Sequence, residues 1–247
     1  MLNLSNLIIA RALRMLGCFV LMSAGFLTPA YAQTTTDISV GGVSLAIPSP
    51  NGFSPVTQQM TVLYDLQKQF VAPASELFAT FIPQQHVREV LKGNIPELPR
   101  RFTVQTATSS IAVSISTSYF AELKSIMKSQ IDEIVKQIAK QLPNLTKKVN
   151  EGIANKYDVD LALSISQMVP MPVHEETDRT IAYSMLVKYD MNDADGKPAP
   201  FIGAVTSTLV HVKGKVLFLY SYAEESGVEW SREAAKQWAN AVVAANP

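Results

Sequence analysis

Four consecutive segments in the second half of the chain alternate apolar with polar or small residues. They lie near 159–169, 180–189, 202–212 and 215–222. A period of two is typical of β-strands. The pair Lys213-Gly214 separates the last two segments by a spacing that favours a tight hairpin turn. These segments therefore predict an antiparallel sheet. The last of them (KVLFLYSY) is apolar on both faces, which predicts a central strand covered on each side.

A long amphipathic helix is predicted over residues 118–156. Its apolar residues recur three or four apart and form one stripe: Phe120, Leu123, Met127, Ile131, Ile134, Val135, Ile138 and Leu142. Pro143 lacks a backbone N–H, so we expect it to kink or break this helix. Lys128, Asp132 and Lys136 stand four apart on the other face and can form ion pairs.

Shorter elements precede and follow these two features. They are a hairpin over 38–47 around Gly41-Gly42, a helix over 57–70, a strand over 77–82, a short helix over 84–92, a strand over 102–108 and a closing helix from near Glu229. The sequence thus predicts an α+β fold, with a largely antiparallel sheet of about six or seven strands covered by helices. One of these helices is long, kinked and amphipathic.

The N-terminal segment has the pattern of an export signal. Arg11 and Arg14 are followed by an uninterrupted apolar run, Met15 to Leu27. That run is too short to cross a bilayer as a helix, which takes about 20 residues. The small residues Ala30 and Ala32 flank Tyr31, a pattern that signal peptidases cleave. We therefore predict a signal peptide over 1–32, with cleavage between Ala32 and Gln33.

Removal of this segment defines the remaining chain. Residues 33–247 suit a single α+β domain in the periplasm or outside the cell. Cys18, the sole cysteine, leaves with the signal, so no disulfide or thiolate ligand is predicted. Since the whole chain has 21 basic and 21 acidic residues, losing Arg11 and Arg14 leaves a slight negative charge. Such a charge argues against nucleic acid as a partner. The sequence of 33–247 contains no apolar run long enough for a transmembrane helix.

The stretch YDMNDADGKPAP (189–200) resembles a calcium-binding loop. An EF-hand loop requires glycine at position 6 and a bidentate glutamate at position 12. Aligning Gly196 to position 6 puts Met191 at position 1 and Ile202 at position 12, and neither side chain binds a hard cation. Asp195-Gly196 is typical of a hairpin turn instead. We predict a turn between two strands.

Three histidines are candidates for chemistry. His174-Glu175-Glu176-Thr177-Asp178 begins like a zincin motif, but Asp178 stands in place of its second histidine. This favours a solvated turn. His86 and Glu89 lie three apart on a short helix and predict a surface pair. His211 lies in an alternating strand, which favours a residue on a polar face over a general base.

Two surfaces leave alternatives open. The helix over 118–156 carries seven lysines against four acidic residues. It can pack its apolar stripe on the sheet, the reading we favour, or lie on an anionic membrane or acidic partner. Aromatic residues cluster late in the chain: Tyr183, Tyr189, Phe201, Phe218, Tyr220, Tyr222, Trp230 and Trp238. Such rings fill cores more often than they stack on a sugar or apolar ligand.

Both ends of the predicted domain carry a resemblance to a known group. The N-terminal hairpin ends in Ile47-Pro48-x-Pro50-x-Gly52-Phe53, a meander over 212–219 follows later, and the final helix carries Trp230 and Trp238. This arrangement resembles the Mog1/PsbP-like α/β/α sandwich group, which includes small exported proteins. The group has no shared catalytic residues, so the resemblance implies an accessory or binding role.

No catalytic, cofactor or metal site is predicted from the sequence. The serine-hydrolase elbow, the P-loop and the dinucleotide-binding motif do not occur. The favoured function is a non-enzymatic accessory or binding protein of the cell envelope. Its partner would be another envelope protein or a small ligand. The alternatives are an envelope hydrolase built around His174 or His211, and a membrane-surface protein that uses the helix over 118–156.

Overall fold

The computed structural model describes residues 34–72, 74–157, 162–192 and 197–247, with backbone alone for Gln141 and 152–157. The predicted signal peptide and its cleavage site lie outside these residues, as do Asp193, Asp195 and Gly196 of the proposed turn. The described residues belong to a unit that spans Gln33–Pro247.

The described residues form ten strands. These are β1 (Thr35–Val40), β2 (Val43–Pro48), β3 (Phe53–Pro55), β4 (Ser75–Pro83), β5 (Arg101–Ala107), β6 (Ser164–Pro170), β7 (Glu175–Glu176), β8 (Thr180–Asp190), β9 (Phe201–Val212) and β10 (Lys215–Glu224). Strands β1 and β2 form a separate hairpin. The other eight form one antiparallel sheet in the order β3-β4-β5-β10-β9-β8-β6, with β7 also paired to β8. Strand β10 is central, as its apolar sequence predicted, and the α+β class is confirmed.

Within the described residues, four α-helices accompany the strands. They are α1 (Thr61–Gln67), α2 (Val87–Leu91), α3 (Thr117–Tyr157) and α4 (Val228–Ala245). Helix α1 continues into a 3-10 turn, Lys68–Phe70. In the described part of the chain, no helix combines the length and apolar character needed to cross a bilayer.

The sheet is covered on both faces because alternate residues of each strand point in opposite directions. One face packs on α4 and the β1–β2 hairpin, and its core includes Phe81, Phe102 and Trp238. We call this the α4 face. The opposite face packs on α3 through Phe120 and Met127, and we call it the α3 face. The apolar stripe of α3 therefore packs on the sheet, as the favoured interpretation expected.

Helix α3 is interrupted at Gln130 (φ −129°, ψ 17°) and not at Pro143, where the sequence predicted a kink. The hydroxyl of Ser129 donates to the carbonyls of Ser125 (3.0 Å) and Ile126 (3.2 Å), a back-bond that bends helices. Pro143 removes one hydrogen bond, to the carbonyl four residues earlier. That residue is exposed, so water can satisfy the carbonyl and the helix continues.

Candidate functional site

An apolar cavity of about 590 Å³ lies against the α3 face of the sheet. Its floor is formed by β4, β5, β10 and β9. Its walls come from α1 with the following 3-10 turn, from the loop 95–99, and from the part of α3 around 145–149. The volume falls within the roughly 300–1,000 Å³ of small-molecule sites in proteins. The cavity therefore has the size of a ligand site.

The strand register aligns the floor residues in rows across the sheet. Thr80 on β4 lies opposite Thr103 on β5, and Arg101 lies opposite Tyr222 on β10. Leu77 lies opposite Gln105 in the same way. Arg101, Thr103 and Gln105 share one parity on β5, so their side chains point to the α3 face. On β4, a register shift between Leu77 and Ala79 brings Leu77 to the same face as Thr80.

Asn150 fixes the second half of α3 over the cavity. Its Nδ2 donates to the carbonyl of Leu163 at 3.0 Å, and its Oδ1 accepts from the N–H of Leu163 at 3.0 Å. Leu163 and the neighbouring Val149 both line the cavity and are buried together. This paired bond links the helix to the segment before β6, so it determines how close the wall comes to the floor.

The rim of the cavity carries exposed apolar side chains. Phe70, Ile95 and Phe201 line it and are nearly half exposed. The ring of Phe201 stacks on Tyr189, with ring centroids 4.6 Å apart. Gly203 makes room for this pair, since a Cβ there would come within 3.3 Å of the Tyr189 ring. The opening is thus apolar on several sides.

Two polar atoms in the cavity wall have no hydrogen-bond partner among the described residues. They are Oγ1 of Thr80 and Oε1 of Gln67, and both are buried. Thr80 is only 4% exposed. A buried polar atom left without a partner costs about 1–3 kcal/mol. A ligand or water that donates or accepts a hydrogen bond there would recover part of this cost.

One end of the cavity combines a cation with two phenols. The Arg101 guanidinium lies over the ring of Tyr222, 4.1 Å from its centroid, and its Nη1 donates to the carbonyl of Leu98 at 3.2 Å. Burial, and to a smaller extent the nearby Tyr222, raise the pKa of Tyr189 to about 12, although Arg101 opposes the rise. Tyr189 is therefore neutral near pH 7 and able to donate a hydrogen bond from its hydroxyl.

The neighbouring Arg100 is paired. It donates to both carboxylate oxygens of Glu224 and lies over the ring of Trp230. The hydrogen bond from Arg100 lowers the pKa of Glu224 below its usual range. The two adjacent arginines thus differ, because Glu224 neutralises Arg100 while no carboxylate of the described residues forms an ion pair with Arg101.

His174 is half-buried and hydrogen-bonded, whereas the sequence predicted a solvated turn. Its Nε2 is hydrogen-bonded to the Ser184 hydroxyl at 3.1 Å, and Ser184 also contacts Thr206 (3.0 Å) and Arg232 (3.2 Å). Burial, then Arg232, lowers the pKa of His174. Ser184 is 1% exposed, so its hydroxyl cannot reach an external ester. The His174–Ser184 pair is a structural link between the sheet and α4.

His211 is buried, contrary to the prediction of a polar-face residue. Its ring stacks on Phe120 at 5.1 Å, and its Nε2 is hydrogen-bonded to the carbonyl of Ile115 at 2.7 Å. The buried Lys215 donates to the carbonyls of Ile111 and Val113 nearby. Both side chains bind carbonyls of the segment that leads into α3, which satisfies these two buried polar groups.

The remaining sequence candidates are surface pairs. His86 Nδ1 lies 3.8 Å from Glu89 Oε2, as predicted. Lys128 pairs with Glu176 at 2.9 Å and not with Asp132, because β7 brings Glu176 beneath the helix, where Lys124 also binds it. Among the residues that the structure describes, no cluster of three or more histidine, cysteine, aspartate or glutamate side chains could hold a metal ion.

Sequence reasoning missed the cavity because its lining comes from segments between residues 63 and 224. One usable signal was the inward-facing series Arg101, Thr103 and Gln105 on β5, where an ordinary core strand would carry apolar residues. The aromatic residues late in the chain divide between cavity lining and core packing. Tyr189, Phe201 and Tyr222 line the cavity, whereas Trp230 and Trp238 pack in the core of the α4 face.

The architecture is an α+β sandwich with a ligand-sized cavity under one helical layer. No protein-family model matches the chain, and no curated protein matches it. Among solved structures, it is similar to cyanobacterial PsbP (CyanoP) from Synechocystis sp. PCC 6803. That similarity has 11% identity and a TM-score of 0.31, over 88% of this chain and 96% of that one.

A second similar structure is the Ran-binding protein Mog1p of Saccharomyces cerevisiae. It shows 9% identity and a TM-score of 0.33, over 87% of this chain and 93% of that one. The predicted resemblance to the Mog1/PsbP-like group is thus confirmed as a faint one. At scores this low it carries nothing about function, and the cavity has to be interpreted from its own residues.

Proposed function

We propose that this chain is an exported binding protein whose cavity takes one elongated, mainly apolar small molecule. The observation that carries the proposal is the cavity itself, about 590 Å³ in volume, with an apolar lining and a few buried polar atoms. Small-molecule sites have this composition, because apolar contacts supply affinity and sparse polar groups fix orientation.

Two further observations support binding. The exposed rings of Phe70 and Phe201 at the opening offer an apolar path from outside to inside. The buried Thr80 hydroxyl has no hydrogen-bond partner within the described structure. Buried polar groups in folded proteins normally have such a partner. A bound molecule with a hydroxyl or carbonyl group would provide that partner.

The test of binding uses a neutral apolar dye, N-phenylnaphthylamine, with purified residues 33–247. We expect saturable fluorescence enhancement at one site, with displacement by dodecanol. Leu66→Trp fills the cavity and should weaken dye binding by about tenfold or more. Leu91→Trp is the matched control, since Leu91 is exposed and outside the lining. No saturable binding, or equal loss in both variants, would refute the proposal.

The proposed compartment is the periplasm or the outside of the cell, reached through the signal over 1–32. Its support is the pattern Ala30-Tyr31-Ala32 after an apolar run. Expression of the full chain in a bacterial host should give a processed protein that begins at Gln33 by mass spectrometry. Ala32→Arg should block processing, while Tyr31→Arg, at the tolerant intervening position, should not. Unprocessed protein in the cytosol would contradict export.

A further inference from the structure

Among the residues that the structure describes, the cation at one end of the cavity has no acidic partner. Arg101 points into the cavity from β5, and among the described residues its guanidinium contacts the Leu98 carbonyl and the Tyr222 ring. A guanidinium carries five N–H donors in a planar fork. One of these donors binds the Leu98 carbonyl. The Tyr222 ring contacts the face of the guanidinium and accepts no hydrogen bond along an N–H direction.

Arg100, the residue before Arg101, does have an acidic partner. Arg100 binds Glu224, whereas Arg101, the next residue, forms no ion pair within the described part of the chain. A cation that faces an apolar cavity without a counter-charge is costly unless an anion joins it. Glu224 also lines the cavity, but its carboxylate pairs with Arg100, so among the described residues Arg101 is left without an ion pair there.

From these contacts we propose that the ligand is an amphiphile with one anionic head, a carboxylate or a phosphate, which Arg101 binds while the apolar chain lies between α1 and α3. This inference rests on the proposed function. Arginine binds both anions through paired N–H donors. Tyr189, neutral because burial raises its pKa, contributes a hydroxyl donor at the same end of the cavity.

The contribution of the head group is tested with dodecanoate, dodecyl phosphate and dodecanol, which share one apolar chain and differ only in the head. With residues 33–247, each is titrated against bound N-phenylnaphthylamine, the two anions below their micelle concentrations and dodecanol below its solubility limit. We expect one or both anions to displace the dye at concentrations about tenfold lower than dodecanol does. The anion that shows the larger advantage identifies the head as carboxylate or phosphate. Equal potency of all three compounds would overturn the inference.

Arg101→Gln should abolish the advantage of the anions and leave dodecanol binding unchanged. Arg88→Gln removes the same charge at an exposed site outside the lining and should keep the advantage. Arg101→Lys should restore part of it, since lysine keeps the charge without the fork. If Arg101→Gln matches Arg88→Gln, Arg101 is structural and the inference fails, although dye binding would still support the proposed function. Failure of the dye to bind wild-type protein would refute both.

Discussion

Asn246 and Ala46, two hundred residues apart, are joined by a pair of hydrogen bonds. The Asn246 Oδ1 accepts from the N–H of Ala46 at 2.9 Å, and its Nδ2 donates to the Ala46 carbonyl at 2.7 Å. The side chain thereby imitates a neighbouring strand on the edge of β2. Because Asn246 follows α4, these bonds fasten the C-terminal end of that helix to the β1–β2 hairpin.

We predict that Asn246→Ala lowers the free energy of unfolding by about 1–3 kcal/mol, because both Ala46 backbone groups lose a partner. Urea unfolding followed by tryptophan fluorescence measures the change. Asn240→Ala, on the exposed side of α4, is the control and should alter stability little. An Asn246→Ala protein as stable as the control would mean that water replaces the side chain without cost.

Alanine substitutions at Gly41 and Gly42 allow the cost of backbone strain to be separated from the cost of steric overlap. Both have positive φ, +55° and +80°. A Cβ on Gly41 would lie 2.0 Å from the Ile111 carbonyl oxygen, whereas a Cβ on Gly42 would meet nothing within 4 Å. We expect Gly42→Ala to cost about 1 kcal/mol from the backbone alone.

Gly41→Ala should cost distinctly more, since it also displaces the segment that Lys215 holds. Thermal unfolding of both variants gives the comparison. Equal melting temperatures would show that the segment around Ile111 moves freely, which would contradict its tight packing against the hairpin.

Removing the Thr80 hydroxyl should increase the free energy of unfolding. Thr80→Val keeps the shape and removes a buried polar atom that has no partner among the described residues, so we expect stabilisation of about 1 kcal/mol. Thr106 provides the matched control, because its hydroxyl donates to the Val216 carbonyl at 3.1 Å. Thr106→Val should destabilise. If both substitutions destabilise in urea unfolding, the Thr80 hydroxyl has a partner in solution.

The sequence was sufficient for the sheet because its strands are strongly periodic. The order of four strands, the Lys213-Gly214 turn and the central place of β10 all follow from alternation between residues 159 and 222. The interruption of α3 was misplaced because a proline is visible in the sequence, whereas the back-bond from Ser129 depends on a side-chain conformation.

Burial of polar residues was harder to predict. His211 belongs to an alternating strand, and no local pattern indicates that the segment before α3 covers it. The cavity depends on residues that are distant in the chain, such as Leu66 and Tyr189, and on where α3 stops approaching the sheet. A binary pattern determines which face of a strand is inward, but it does not distinguish an inward face that is packed from one that borders a cavity.

His174 should make stability depend on pH. Its folded pKa is lowered from 6.5, first by burial and then by Arg232, while Glu175 and Glu229 act in the opposite direction. The unfolded chain therefore binds a proton at a higher pH than the folded chain does. It follows that stability is full above about pH 6.5 and declines as the pH falls from there through the lowered folded pKa.

His174→Asn retains a side chain that can hydrogen-bond to Ser184 but does not titrate. We expect the urea midpoint of the wild-type protein to fall more between pH 7.5 and pH 5, two values of about one unit or more to either side of the unfolded pKa, than that of His174→Asn. The control is His86→Asn, at a partly exposed residue whose partner is Glu89. It should follow the wild type. Parallel pH curves for wild type and His174→Asn would show that His174 titrates alike in both states and that its contact with Ser184 does not depend on the neutral ring.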